Sequence, residues 1–143
     1  VFAQEWVEPM AKVLGKLGAK KAWVVHGSDG LDELTTTGSS YVSEYKNGQV
    51  TNFEVSPLDA GIPLAKLEDL KGGDAADNAK AMEAMLDGEP GAFRDIVIYT
   101  AAAALIVADK AEDLNEGAEM AAKAIDEGNS RKALERMVSI TNA

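Results

Sequence analysis

The stretch EWVEPMAKVLGKLGAKKAWVVHGSDGLDE, residues 5–33, decides the fold. Val7, Met10, Ala11, Leu14 and Leu17 recur three and four residues apart, so the spacing predicts a helix over Glu5–Leu17 with one apolar stripe. Pro9 falls in its first turns, where a missing amide costs little, and Gly18 is placed to end it. Ala22-Trp23-Val24-Val25 reads as a short buried strand, and the polar run His26–Glu33 follows at once. Helix, strand and polar loop in this order mark an α/β unit, with its loop at the carboxyl end of a strand.

Outward from that stretch the pattern changes twice. Ser40–Tyr45 and Val50–Val55 alternate as strands, and Asn47-Gly48 between them is a turn pair, so an antiparallel hairpin is expected. Pro57, Gly61 and Pro63 interrupt regular structure as far as about Leu70. Beyond Gly72 the chain reads as helical. Asp74 is a predicted N-cap for a helix carrying Ala79, Met82 and Leu86 on one face, broken by the run Asp87–Gly91. Ile96–Tyr99 has strand propensity, whereas Thr100 and the four alanines after it favour helix. A further helix is expected from Asp113, with Glu116 placed to complete a capping box, and to end near Gly128. Ser130 is the expected cap of a last helix through Leu134, Met137 and Val138. Trp6 and Trp23 are expected in the core.

Composition narrows the function classes. The 143 residues are 46% hydrophobic and 27% charged, which suits one globular domain. With 24 Asp and Glu against 14 Lys and Arg, the net charge of -10 opposes binding to nucleic acid or to an anionic membrane. Arg94, Arg131 and Arg136 stand apart and form no basic patch. There is no cysteine, which removes disulfides and thiolate metal sites and fits a cytoplasmic protein. The longest apolar run, Ile96–Ala108, falls short of the roughly 18–20 residues a spanning helix needs. The chain starts at Val1 in a Val-Phe-Ala run that reads as the end of a strand, so a piece of a longer chain is expected.

The candidate site is His26-Gly27-Ser28-Asp29-Gly30-Leu31-Asp32-Glu33, which gathers the one histidine, three carboxylates and two glycines. Carboxylates crowded at a strand end repel one another unless a cation or donors compensate, and a hard oxygen-seeking ion such as Mg²⁺ would suit them. The competing reading makes Asp29 and Asp32 turn and capping residues and leaves Glu33 solvated. His26 has no second histidine or cysteine nearby for a zinc cluster, and bonding within the loop is favoured over catalysis. Gly72-Gly73-Asp74 has the glycines of a phosphate-cradling turn, but Asp74 would occupy the cap an anion needs, so a capped turn is favoured.

The segments VVHGSDGLDE (24–33), TTTGSSYVSEYKNGQV (35–50), GGDAADNA (72–79) and IVIYTAAAALIVADKAEDLNEGAE (96–119) together resemble the anthranilate phosphoribosyltransferases. The opening FAQEWVEPMAKVLGKLG (2–18) is similar as well, and the resemblance runs essentially end to end. It implies the large α/β domain of the nucleoside phosphorylase/phosphoribosyltransferase type, a central sheet flanked by helices with an antiparallel hairpin. Residues 1–143 would be its C-terminal portion. It implies transfer of the phosphoribosyl group from phosphoribosyl pyrophosphate to the amine of anthranilate, in tryptophan biosynthesis, by a Mg²⁺-dependent enzyme that is commonly a homodimer. By the GLDE segment, Asp32 and Glu33 would hold magnesium near the pyrophosphate. No catalytic residue is implied here, because the family's glycine-rich pyrophosphate loop, its lysine-containing phosphate segment and its anthranilate-holding arginine precede this region. The helical domain also precedes it, so the chain alone is expected to be inactive.

The resemblance also makes Ile96–Ala108 one buried helix. Two positions depart from the family's habit: Thr100 stands where asparagine is usual, and Asn129-Ser130-Arg131-Lys132 replaces small residues and a leucine. Two other readings compete. One is a pyrimidine nucleoside phosphorylase-like enzyme, and the other a non-catalytic acidic α/β structural domain.

Overall fold

The computed structural model describes residues 1–143. A 3-10 turn at Gln4–Trp6 leads into helix α1, Val7–Lys16, and strand β1, Lys21–Gly27, follows. Strands β2, Ser40–Lys46, and β3, Gln49–Val55, form the expected hairpin. Short 3-10 turns at Pro57–Ala60 and Leu67–Leu70 carry the chain to four helices: α2, Ala75–Leu86; α3, Ala92–Val107; α4, Leu114–Asp126; and α5, Asn129–Thr141.

The sheet is three antiparallel strands in the order β1-β2-β3, with Val24 opposite Ser43 and Val42 opposite Phe53. The turn at Asn47-Gly48 holds both residues at positive φ, 53° and 82°, the mirror-image turn that matches strand twist. Successive side chains point to opposite faces, and each face has its own cover. On one side Val24 packs with Val7 and Ala11 of α1, and Tyr45 and Val50 border that cluster. On the other, Val42 and Val55 join the main core with α3 and α4, and Trp23 and Phe53 pack against it edge to face. The sheet is therefore flanked by helices on both faces, as the fold class requires.

Helix α3 is the spine of the main core. Tyr99 and Ala102 are wholly buried, with Ile98, Ala103 and Ile106 beside them. Each large apolar side chain buried there stabilises by about 1.5–3 kcal/mol. Ile96–Tyr99 is helical, because burial against α4 outweighs the local strand propensity of Ile-Val-Ile-Tyr. The alanine run suits close packing: a Cβ added at Gly117 of α4 would lie 2.9 Å from the Ala102 carbonyl oxygen.

Several expectations are corrected. Trp6 is 46% exposed, and Met10 and Leu17 of the stripe also face solvent, since only Val7, Ala11 and the half-buried Leu14 reach the small cluster over β1. Trp23 is half-buried and donates from its indole nitrogen to Glu44 at 2.9 Å. Asp74 caps α2 as expected, accepting from the amides of Ala76 and Asp77. However, Ala79 and Met82 are exposed, because α2 touches the core only at its end, through Met85 and Leu86. Asp113 accepts from the Glu116 amide, but the Glu116 side chain returns to the Glu112 amide, one residue short of a capping box. Ser130 lies inside α5 and not at its cap. The cap position is Gly128, whose left-handed φ of 71° lets α5 start directly after α4.

No helix is long and apolar enough to cross a membrane.

Candidate metal-binding loop

Strand β1 delivers His26 and Gly27 to its carboxyl end, and the chain then loops through Ser28–Ser39 before returning as β2. The two limbs are stitched together by the backbone: Ser28 N–H donates to the Ser39 carbonyl at 2.9 Å, and Gly27 N–H to the Leu31 carbonyl at 2.8 Å. Leu34, Thr35 and Thr36 are buried and anchor the returning limb in the core.

The three carboxylates of the loop have different surroundings. Asp29 accepts from the Leu31 amide through Oδ1 at 3.1 Å, and from the hydroxyls of Thr35 and Thr37 through Oδ2, both at 2.7 Å. Its partial burial pushes its pKa up, but those two hydroxyls and the amide more than offset this and hold it below the usual aspartate value. Asp32 and Glu33 are exposed, and neither is paired with a basic side chain. Their oxygens are thus the free donors of the loop. From the sequence Asp29 reads as a turn residue, and its bond to the Leu31 amide two residues on is of that kind. Its reach to Thr35 and Thr37, six and eight residues on, has no periodic signal that could have revealed it.

His26 is occupied. Its Nδ1 lies 2.8 Å from the Val1 carbonyl, which can only accept, so the imidazole donates there. The ring lies nearly parallel to that of Tyr41, with centroids 6.5 Å apart. The nitrogen of Val1 in turn lies 2.7 Å from the Val25 carbonyl and 3.0 Å from that of Asp32, so the first residue is tied to both the strand and the loop. The contacts of His26 are structural, but they reach Val1 and Tyr41 and not other residues of its loop.

No group of three or more histidine, cysteine or acidic residues gathers anywhere in the chain to cage a metal. That argues against a structural zinc site, which needs a closed ligand set. It is compatible with Mg²⁺, which retains waters and is held by one or two carboxylates together with phosphate oxygens of a substrate. Asp32 and Glu33 are two unpaired carboxylates in the loop between β1 and β2. Beside them, a groove of about 470 Å³ runs between Leu31, Glu33, Phe93, Val97 and Thr100. The hydroxyl of Thr100 is buried without a partner.

Gly72-Gly73-Asp74 holds itself: Gly73 N–H donates to Asn78 Oδ1 at 2.9 Å, and Asp74 occupies the amides at the start of α2. Arg94 and Arg131 are engaged with Asp126 and Asp87, at 2.8 and 2.7 Å, and both pairs link helices.

Comparison with known proteins agrees with this architecture. The chain is 59% identical over 143 residues to the anthranilate phosphoribosyltransferase of Rhodospirillum rubrum, matching 100% of this chain and 41% of that protein. The chain therefore spans about two fifths of the length of the curated relatives it matches. The crystal structure of anthranilate phosphoribosyltransferase from Thermus thermophilus superposes with a TM-score of 0.90 at 38% identity, over 100% of this chain and 42% of that one. The enzyme from Saccharomyces cerevisiae in complex with PRPP and Mg shares the fold, with a TM-score of 0.85 at 22% identity over 94% of this chain and 39% of that one. Residues 1–131 match the family described as "Glycosyl transferase family, a/b domain", and the chain belongs to that family.

Proposed function

We propose that these residues are the C-terminal portion of the α/β domain of an anthranilate phosphoribosyltransferase, and that the complete enzyme transfers the phosphoribosyl group from phosphoribosyl pyrophosphate to anthranilate. The observation that carries this reading is the 59% identity to the Rhodospirillum rubrum enzyme over the whole of the chain. The pyrimidine nucleoside phosphorylase-like and non-catalytic readings have no comparable support.

In the proposed reaction the amine nitrogen of anthranilate bonds to the anomeric carbon of the ribose. The bond from that carbon to the pyrophosphate oxygen breaks, and the amine proton passes to solvent. Asp32 and Glu33 would hold the Mg²⁺ that accompanies the pyrophosphate. When bound, the ion supplies positive charge to the departing oxygens. Asp32 and Glu33 would supply oxygen ligands not engaged by basic side chains, and the buried Leu34–Thr36 directly follow them in the loop. His26 has no proton-transfer role in this scheme, and its Nδ1 holds the Val1 carbonyl. The reading carries with it a cytoplasmic homodimer whose remaining substrate contacts come from outside these residues.

The test is a transfer assay on the full-length protein with phosphoribosyl pyrophosphate, anthranilate and Mg²⁺. Loss of anthranilate fluorescence matched by pyrophosphate release is the expected result. Inert anthranilate alongside phosphorolysis of a pyrimidine nucleoside would replace the proposal with the phosphorylase reading.

A further inference from the structure

We infer that Asp29 is a positioning residue for the magnesium pair: its carboxylate ties together the two limbs of the loop and fixes the backbone that presents Asp32 and Glu33. The inference rests on the reading above that those two residues hold the metal.

The hydrogen bonds of Asp29 straddle the pair. Leu31, whose amide it accepts, directly precedes Asp32; Thr35, whose hydroxyl it accepts, follows Glu33 by two residues, and Thr37 adds a second hydroxyl. The far anchor is itself rigid. Thr35 is wholly buried, its amide donates to Ser40 Oγ at 2.9 Å, and its hydroxyl also receives the Thr37 amide at 3.0 Å. Short segments tied at both ends lose little further freedom when two ligands must converge on one ion, so a clamp of this kind favours binding.

The clamp also needs a carboxylate. Three donors converge on Asp29, and only an ionised acid offers two oxygens with no donor of its own. An asparagine presents one oxygen, and its amide group would face either the Leu31 amide or the two hydroxyls. Gly27 makes the room, since a Cβ there would lie 2.6 Å from Asp29 Oδ1. With both of its oxygens engaged by donors of the loop, Asp29 differs from its two exposed neighbours, whose carboxylates are free.

The experiment uses the complete enzyme with Mn²⁺ as a paramagnetic probe, alone and with pyrophosphate, and reads binding by electron paramagnetic resonance without turnover. Partners outside the ligand set change metal affinity by about 10–100-fold when removed, so Asp29→Ala is expected to weaken Mn²⁺ binding by about that factor. Asp29→Asn should fall between it and the parent. In the metal-free protein, amide exchange at Leu31–Leu34 should quicken in Asp29→Ala while α3 stays protected. If Asp29→Ala does not fold, Thr37→Val removes one hydroxyl from the outer side of the clamp and should show the same two effects in smaller measure. Parent-like Mn²⁺ binding and loop exchange in Asp29→Ala, or in Thr37→Val where only that variant folds, would overturn the inference. Asp32→Ala and Glu33→Ala run in parallel: loss of binding in them keeps the metal reading intact whatever Asp29 does. Parent-like binding in both would remove that reading, and this inference with it.

Discussion

The hydroxyl of Thr35 donates to Oδ2 of Asp29 at 2.7 Å, closing the loop across Asp32 and Glu33. One carboxylate of the loop is thereby absorbed into its frame, and two remain free at its surface. An engaged and an unengaged acid thus stand within four residues of one another. The sheet on one side and α3 with α4 on the other hold the frame in place.

Tyr99 makes the core sensitive to alkali. Burial, helped by the negative charge of Asp59, raises the pKa of its hydroxyl above the ordinary value. An unfolded tyrosine titrates near pH ~10. The stability tied to the neutral hydroxyl is therefore fully present below that pH, and is lost as pH rises through the higher folded value. The hydroxyl has no partner. Tyr99→Phe should be neutral or stabilising by up to about 1 kcal/mol at pH 7, and should move the alkaline unfolding midpoint upward. Urea melts at pH 7 and pH 10.5 check both effects, and a loss above about 1.5 kcal/mol at pH 7 would mean the hydroxyl is bonded in solution.

Gly117 sets how closely α4 approaches α3. A methyl group there would meet the Cα and carbonyl oxygen of Ala102, both 2.9 Å away, and backbone cannot rotate aside. Gly117→Ala should cost about 1–3 kcal/mol despite the better helix propensity of alanine. A thermal melt that rises in place of falling would show that the helices part without penalty.

Lys21 joins the start of β1 to the end of α3. Its side chain is only 10% exposed and donates to the Ile106 carbonyl and, at 2.9 Å, to Asp109. A cation at a helix carboxyl end satisfies carbonyls that have no partner within the helix. Lys21→Met keeps the aliphatic stem and should destabilise by about 1–2 kcal/mol. Chemical denaturation of the variant measures this, and a change within about 0.3 kcal/mol would assign the contact no weight.

Much of this fold is written in short-range signals. Asn47-Gly48 announces the hairpin because only a few residue types accept two positive φ angles in a row, and Asp74 announces α2 because its carboxylate satisfies amides two and three residues away. What depends on distant packing is not legible locally. The stripe of α1 predicts an amphipathic helix, but nothing in its spacing says that the layer it meets is narrow enough to leave Trp6, Met10 and Leu17 in solvent. Ile96–Tyr99 has strand propensity and is helical because α4 covers it. The start of α5 turns on Gly128, whose left-handed conformation replaced the serine cap that the local pattern suggested. For the site, residue order alone placed an acidic loop after β1. The choice of Asp32 and Glu33 within it came from resemblance, and the clamp at Asp29 became visible only in three dimensions.

Magnesium binding by Asp32 and Glu33, as proposed for phosphoribosyl transfer, is open to a magnesium titration of transfer activity in the complete enzyme and its Asp32→Ala variant. Losing one carboxylate ligand should raise the half-saturating Mg²⁺ concentration by about tenfold or more, and lower the rate reached at saturation. A variant that matches the parent at every magnesium concentration would mean that Asp32 does not bind the metal.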